Sequence, residues 1–274
     1  MSMALTEFHL KKLDDKGYVI IPDYYTGDQL EEMQAAQRRV LPTWQEVKEN
    51  PPSGRATLKD FPSDEMVLLQ GIVDHHAWDF ARRWFETEHI HFRAGCMIVR
   101  YPGFQGGGIG SDTAGLHIDN GNNSLLPSSD NLRAFGQLVF WVHLEDVDED
   151  QAPLRLLATE HGRDMTKCEP LVCRSGTLCV FTNYTLHSAT DYLRADGQRF
   201  TWGFGLGRAD HYWEGFKHYT DKGNHPVFRQ FIGTLTAKER EVFRFPPASD
   251  PYYTLQTLEA LAKQYPGWNV SEYS

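Results

Sequence analysis

Two histidines and a carboxylate define the chemistry open to this chain. His117 and Asp119 stand two residues apart in Leu116-His117-Ile118-Asp119-Asn120, and roughly seventy residues later Leu186-His187-Ser188 supplies a second imidazole. Side chains at i and i+2 point to one side of a strand, whereas on a helix they diverge by about 200°. His117 and Asp119 can therefore hold one ion only from extended backbone, with Leu116 and Ile118 alternating into a hydrophobic layer. Two imidazoles and a carboxylate are the facial ligand set of non-haem Fe(II), which leaves the opposite face of the metal free for substrate chemistry. A lone His-x-Asp is more often a surface strand or a hydrogen-bonded pair than a metal site; the distant His187 is what favours a metal. Arg199, twelve positions after His187, adds a guanidinium that could clamp the far carboxylate of 2-oxoglutarate in a bidentate pair. An ordinary ion pair with one of the chain's many acidic residues is the alternative.

The elements that must position these residues are legible around them. Thr177-Leu178-Cys179-Val180-Phe181 is an apolar run that reads as a buried strand, delivering His187 beyond Thr182-Asn183-Tyr184-Thr185-Leu186. Arg199 to Phe204 alternates polar with aromatic residues and reads as a neighbouring strand, with Arg199 and Thr201 on one face. The Thr201 hydroxyl is placed to add a bond to the same carboxylate. Phe135 to Leu144 predicts a strand in which Gln137, Val139, Trp141 and His143 share a face. Phe92 to Tyr101 predicts another, with Cys96 and Ile98, and Arg100 at its end, on one side. Pro153 to Ala158 is a further strand, and Glu160-His161-Gly162 a turn. The glycine-rich loop 106–110 lacks a following Gly-Lys-Ser/Thr, so it reads as a lid beside the metal site rather than a phosphate cradle.

Before this core, residues 4–16 predict a short helix with Leu5, Phe8 and Leu13 on its apolar side, followed by a strand at Gly17-Tyr18-Val19-Ile20-Ile21-Pro22. Thr26 is placed to cap the next helix, with Gln29 completing a capping box, and Leu30, Met33 and Val40 form its stripe. Residues 50–64 read as a loop and about 74–87 as a helix; helices are also expected near 236–244 and 253–264. Short strands with Gly, Pro and Asp turns, flanked by helices, predict a mainly β protein built as a double-sheet jelly roll, with its core at about 91–207 in a single domain.

Composition narrows the partners. The 274 residues are 41% hydrophobic and contain no Ser/Gly-rich linker, charge block or repeat, which suits one large core. A formal net charge of −10 and the lack of a basic patch argue against nucleic acid and against an anionic membrane surface. No run of about 18 apolar residues is present, and the first residues lack the basic start and apolar stretch of a signal peptide, so a cytoplasmic location is expected. Cys96, Cys168, Cys173 and Cys179 form no Cys-x-x-Cys and read as reduced, mostly buried thiols.

From the Gly-Tyr-Val-Ile-Ile-Pro element at 17–22 to about Gly207, the chain resembles the phytanoyl-CoA dioxygenase family of Fe(II)/2-oxoglutarate oxygenases. The resemblance implies His117, Asp119 and His187 as iron ligands and Arg199 as the 2-oxoglutarate arginine. It also implies Trp141 in the cosubstrate pocket, which Gln137 would line as well. Departures accompany it. Gln151-Ala152-Pro153 stands where the family has Asn-Gly, Ala158-Thr159-Glu160-His161 where it has Pro-Gly-Ser-His, and the interval from His187 to Arg199 is one residue longer than the family's, which leaves Arg194 as a less favoured alternative clamp. Asp119 argues against the halogenating variants, and the scarcity of clustered basic residues argues against a CoA ester. The expected activity is oxidation of a small organic molecule by dioxygen with release of succinate and CO2, hydroxylation being the default. A cupin-like metal protein working without 2-oxoglutarate and a non-catalytic ligand-binding relative are the alternatives.

Overall fold

The computed structural model describes residues 3–106, 116–117, 133, 137–209 and 226–273. Among them run strands β1 (Tyr18–Ile21), β2 (Ala56–Asp60), β3 (Ile90–Arg100), β4 (Gln137–His143), β5 (Leu154–Leu157), β6 (Glu169–Pro170), β7 (Thr177–Thr182), β8 (Leu186–Ala189) and β9 (Arg199–Arg208). The helices are α1 (Glu7–Lys16), α2 (Gly27–Val40), α3 (Trp44–Val47), α4 (Met66–Gln70), α5 (His75–Phe85), α6 (Pro226–Thr234), α7 (Ala237–Val242) and α8 (Leu255–Gln264). Six strands form one antiparallel sheet in the order β1-β7-β4-β9-β3-β2, and β6-β5-β8 form a smaller second sheet.

Period-two alternation divides the large sheet into two unlike faces. Phe200, Trp202, Phe204 and Leu206 of β9, Leu138, Phe140 and Val142 of β4, and Leu178 and Val180 of β7 enter the main core. Helices close that core: Trp78, Phe80, Trp84 and Phe85 of α5, Met33 of α2, and Phe228 and Phe231 of α6 pack into the same cluster. Asp74 caps α5, accepting from the amides of His76 (3.0 Å) and Ala77 (3.2 Å), and its other oxygen receives the hydroxyls of Tyr24 and Tyr25. The opposite face packs Cys179 and Phe181 of β7 with Leu154 and Leu156 of β5 in a smaller cluster, so the two sheets lie face to face.

A bulge in β3 sets which residues join this second face. Phe92 pairs with Leu206 and is buried in the main core, but the register shifts between Phe92 and Ala94, so Ala94 pairs with Gly205. The extra residue inverts the parity of the strand. Met97 and Val99 consequently face the core, and Cys96, Ile98 and Arg100 face the second sheet.

Several expectations change. Residues 50–64 are not all loop: Ala56–Asp60 pairs along β3 as an edge strand, its side chains too mixed in polarity to announce it. Phe8 is 62% exposed, and Leu10 takes its place beside Leu5 and Leu13. Thr26 occupies the cap position of α2, but its side chain makes no capping bond, so the box with Gln29 does not form. Only Cys179 is fully buried; Cys96, Cys168 and Cys173 are half-buried, and all four are free thiols. Among the described residues no helix is long and apolar enough to cross a membrane. Residues 107–110 of the glycine-rich loop lie outside the described residues.

Gly203, at the centre of β9, lies beneath the Trp141 ring. A Cβ there would meet Trp141 Cε3 at 2.3 Å and the Phe140 carbonyl at 2.8 Å. Gly203→Ala is expected to destabilise the protein by about 1–3 kcal/mol, the usual range for overpacking, read as a lower urea midpoint with an unchanged slope.

Candidate functional site

The pairing of β8 with β5 sets His187 opposite Leu156, and a short antiparallel bridge on its other side brings in His117. The two residues exchange both backbone bonds, His117 N to His187 O at 3.1 Å and the reverse at 3.0 Å. Their rings lie 4.5 Å apart, centroid to centroid, and Phe181 packs against His187 at 4.6 Å. Seventy residues of separation are thus closed by backbone rather than by side chains.

The turn that delivers His187 is braced. Asn183 exchanges bonds with the Gln137 backbone, and the Thr185 hydroxyl donates to the Gly17 carbonyl at 2.6 Å. The Thr185 carbonyl lies 2.9 Å from His187 Nδ1. A carbonyl only accepts, so Nδ1 carries the hydrogen and the ring lone pair sits on Nε2. This is the tautomer and the kind of supporting bond that a metal-binding histidine uses. Asp119 lies outside the described residues. Among the described residues no group of three His, Cys, Asp or Glu side chains could hold a metal ion.

Between the sheets lies a cavity of about 410 Å³, with His117, Gln137, Trp141, His187 and Arg199 all on its wall. Gly203 and Gly205 of β9 add no side chains to its floor. Thr201 shares the cavity face of β9 but is fully buried and not on the wall; its hydroxyl is directed to the Ile98 carbonyl at 3.4 Å. Arg194 is outside the cavity, ion-paired at the surface with Asp148 (2.8 Å) and Asp150 (2.7 Å).

Arg199 is 1% exposed, and its Nη1 donates to the Ala152 carbonyl. Ala152, in the Gln151-Ala152-Pro153 segment, sits at φ 53, a left-handed conformation uncommon for alanine. Among the described residues Arg199 Nε has no partner. Burial, and then the neighbouring Arg100, pull the Arg199 pKa well below its ordinary value.

Two polar residues beside Arg199 had no role in the sequence reading. Arg100 is directly opposite it in the β3/β9 register and lines the same cavity. His143, 0% exposed, has both ring nitrogens without a hydrogen bond among the described residues. The only sequence signal for either was alternation, which set Arg100 and His143 on the cavity faces of otherwise apolar strands. Burial, then Arg199 and Arg100, push the His143 pKa well below 6.5, so the ring is neutral. The unfolded chain takes up that proton near the ordinary value of 6.5, and the native chain does not. His143 therefore contributes stability above the unfolded pKa that is lost as pH falls, with a limiting slope of about 1.4 kcal/mol per pH unit for one proton. Urea midpoints of the wild type and His143→Gln, measured from pH 7.5 downward, are expected to converge as acid erodes the wild type's advantage.

No family model matches the sequence, and no curated protein matches it. Solved structures share its fold. HygX from Streptomyces hygroscopicus, with nickel and 2-oxoglutarate bound, is 17% identical over 77% of this chain and 90% of its own, with a TM-score of 0.57. SnoK, a non-heme alpha ketoglutarate dependent carbocyclase from nogalamycin biosynthesis, is 16% identical over 78% of this chain and 88% of its own, at TM-score 0.55. EctD from S. alaskensis, with 2-oxoglutarate and 5-hydroxyectoine, is 13% identical over 74% of this chain and 76% of its own, also at 0.55. The architecture is accordingly the jelly roll expected from the sequence, mainly antiparallel sheet with flanking helices.

Proposed function

We propose that the protein is a non-haem Fe(II)- and 2-oxoglutarate-dependent oxygenase, of the phytanoyl-CoA dioxygenase type, acting on a small organic molecule. The observation that carries this reading is the joint presence, in one cavity, of two bridged histidines and a buried arginine with no carboxylate partner among the described residues. The donor set fits the metal: His187 presents Nε2, His117 is held beside it by backbone, and Asp119 completes the facial set from the His-x-Asp motif. The likeness of the fold to proteins solved with 2-oxoglutarate supports the same reading.

When bound, the metal and 2-oxoglutarate supply the oxidising chemistry, in which dioxygen converts the cosubstrate to succinate and CO2 while the substrate is oxidised. The chain's own residues bind and orient. Arg199 holds the distal carboxylate in a charge-assisted fork, and the Thr201 hydroxyl adds to it only by turning from the Ile98 carbonyl. Trp141 and Phe181 exclude water, and Gln137 lines the remaining wall. A cavity of about 410 Å³ falls in the ordinary range of small-ligand sites, about 300–1,000 Å³. Hygromycin B and 5-hydroxyectoine, bound to HygX and EctD, are also small molecules.

The test is an anaerobic titration with Fe(II) and then 2-oxoglutarate. A weak visible charge-transfer band of a chelated 2-oxo acid is expected, and its loss in His187→Ala. One bound Fe(II) without the band would point instead to a metal protein that works without 2-oxoglutarate. Once turnover is established by succinate release, Arg199→Gln is expected to raise the KM for 2-oxoglutarate about tenfold to a hundredfold, the worth of a charged hydrogen-bonding partner. An unchanged dependence on 2-oxoglutarate would dismiss Arg199 as the clamp.

A further inference from the structure

Arg100 and Arg199 put two guanidinium groups at one end of the cavity. They are direct partners across the β3/β9 ladder, both on the cavity face. Like charges directly opposite each other on a sheet repel, and a buried charge is tolerated when something pairs with it. Among the described residues, nothing does. Arg199 has one hydrogen bond, to the Ala152 carbonyl, and the Nε atoms of both arginines are buried without a partner. Arg100 lies over the Phe104 ring, 4.9 Å from its centre. His143, on the β4 side of β9, is neutral and supplies no counter-charge. Asp60, the acidic residue among the described lining, is an exposed residue of the edge strand.

We propose that Arg100 is the second arm of the cosubstrate clamp, so that one distal carboxylate is shared between Arg199 and Arg100. This rests on the reading of the cavity as a 2-oxoglutarate site and assigns a further binding residue within it. A carboxylate has two oxygens and about four acceptor positions, enough for two guanidinium groups. The contact with the Phe104 ring uses the guanidinium's charge without using its N–H donors, which remain for a carboxylate acceptor. Thr201, the second donor expected from the sequence, has its hydroxyl on Ile98, which leaves that place to Arg100. The shared carboxylate relieves the repulsion of the two arginines as well as binding the ligand. The site therefore selects 2-oxo acids that carry a second, distal carboxylate.

Calorimetric titration of the Fe(II)-loaded protein under anaerobic conditions separates the possibilities. The probes are 2-oxoglutarate and 2-oxopentanoate, which keeps the chelating end and lacks the distal carboxylate. Arg100→Gln is expected to weaken 2-oxoglutarate about tenfold or more and to leave 2-oxopentanoate unchanged. Arg100→Lys, which keeps the charge and most of the packing, should fall between Gln and wild type. Arg100→Gln combined with Arg199→Gln should cost less than the two single losses multiplied, because both residues hold one group. Unaltered 2-oxoglutarate affinity in Arg100→Gln and Arg100→Lys would overturn the proposal and leave Arg100 to an anionic group on the substrate. Equal weakening of both ligands would overturn it as well, marking a structural role. Wild-type protein that takes up Fe(II) but binds neither 2-oxo acid would remove the oxygenase reading itself.

Discussion

Strand β9 is buried on both faces, and its two faces cannot be exchanged. One carries Phe200, Trp202, Phe204 and Leu206 into the core, and the other carries Arg199, Thr201, Gly203, Gly205 and Gly207 toward the second sheet. A slip of one residue would drive a guanidinium into the aromatic core and leave the cavity filled with rings. Neighbouring strands β3 and β4 take their register from this strand, so cavity and core are specified by the same pairing. The bulge in β3 belongs to that specification, because the parity change after Phe92 is what puts Arg100 on the cavity side while Phe92 remains in the core.

The cost of the arrangement is electrostatic. Arg199 is taken out of water and Arg100 is half-buried with its Nε enclosed, neither with an acidic partner among the described residues, and His143 is kept neutral beside them. Desolvation by the surrounding protein lowers the Arg100 pKa to about 10. The large aromatic core built by α5, α6 and the opposite sheet face offsets this cost. On the proposed reading, an anion held by the two guanidiniums would supply that partner, and its binding free energy would stabilise the folded state at the same time. Stability and ligand affinity are therefore linked through the two guanidiniums.

What the sequence disclosed follows the same physics. The strong strands were legible because each alternates or runs apolar between turn residues, and their cavity-facing residues were legible from parity alone: Gln137, Val139, Trp141 and His143 on β4, Arg199 and Thr201 on β9. The expected clamp and the two histidines lie on one cavity wall. Strand β2 was not legible, since an edge strand is held by its backbone pairing to β3 and Ala-Thr-Leu-Lys-Asp shows no alternation. Phe8 was misplaced because helix periodicity does not say which of Phe8 and Leu10 the neighbouring sheet will cover. The role of Arg100 depends on its being opposite Arg199, a long-range register that no local pattern contains. Spacing left Arg194 as a less favoured alternative to Arg199; Asp148 and Asp150 hold Arg194 at the surface.

The two halves of the site stand on different sheets, and the chain passes from one to the other through Asn183-Tyr184-Thr185. The arginine pair belongs to the large sheet, and His187 with its bridge to His117 belongs to the small one. A ligand touching both ends would feel any sliding of the sheets, so the crossing turn has to be stiff. Thr185 supplies the stiffness twice: its hydroxyl is tied to the Gly17 carbonyl ahead of β1, and its own carbonyl holds His187 Nδ1. Asn183 ties the same turn to the start of β4. One three-residue connection thus fixes the histidine's tautomer, its ring orientation and its distance from the arginines. This explains why Asn183 and Thr185 are buried and tied to backbone, where connections ordinarily run over the surface with water as their partner.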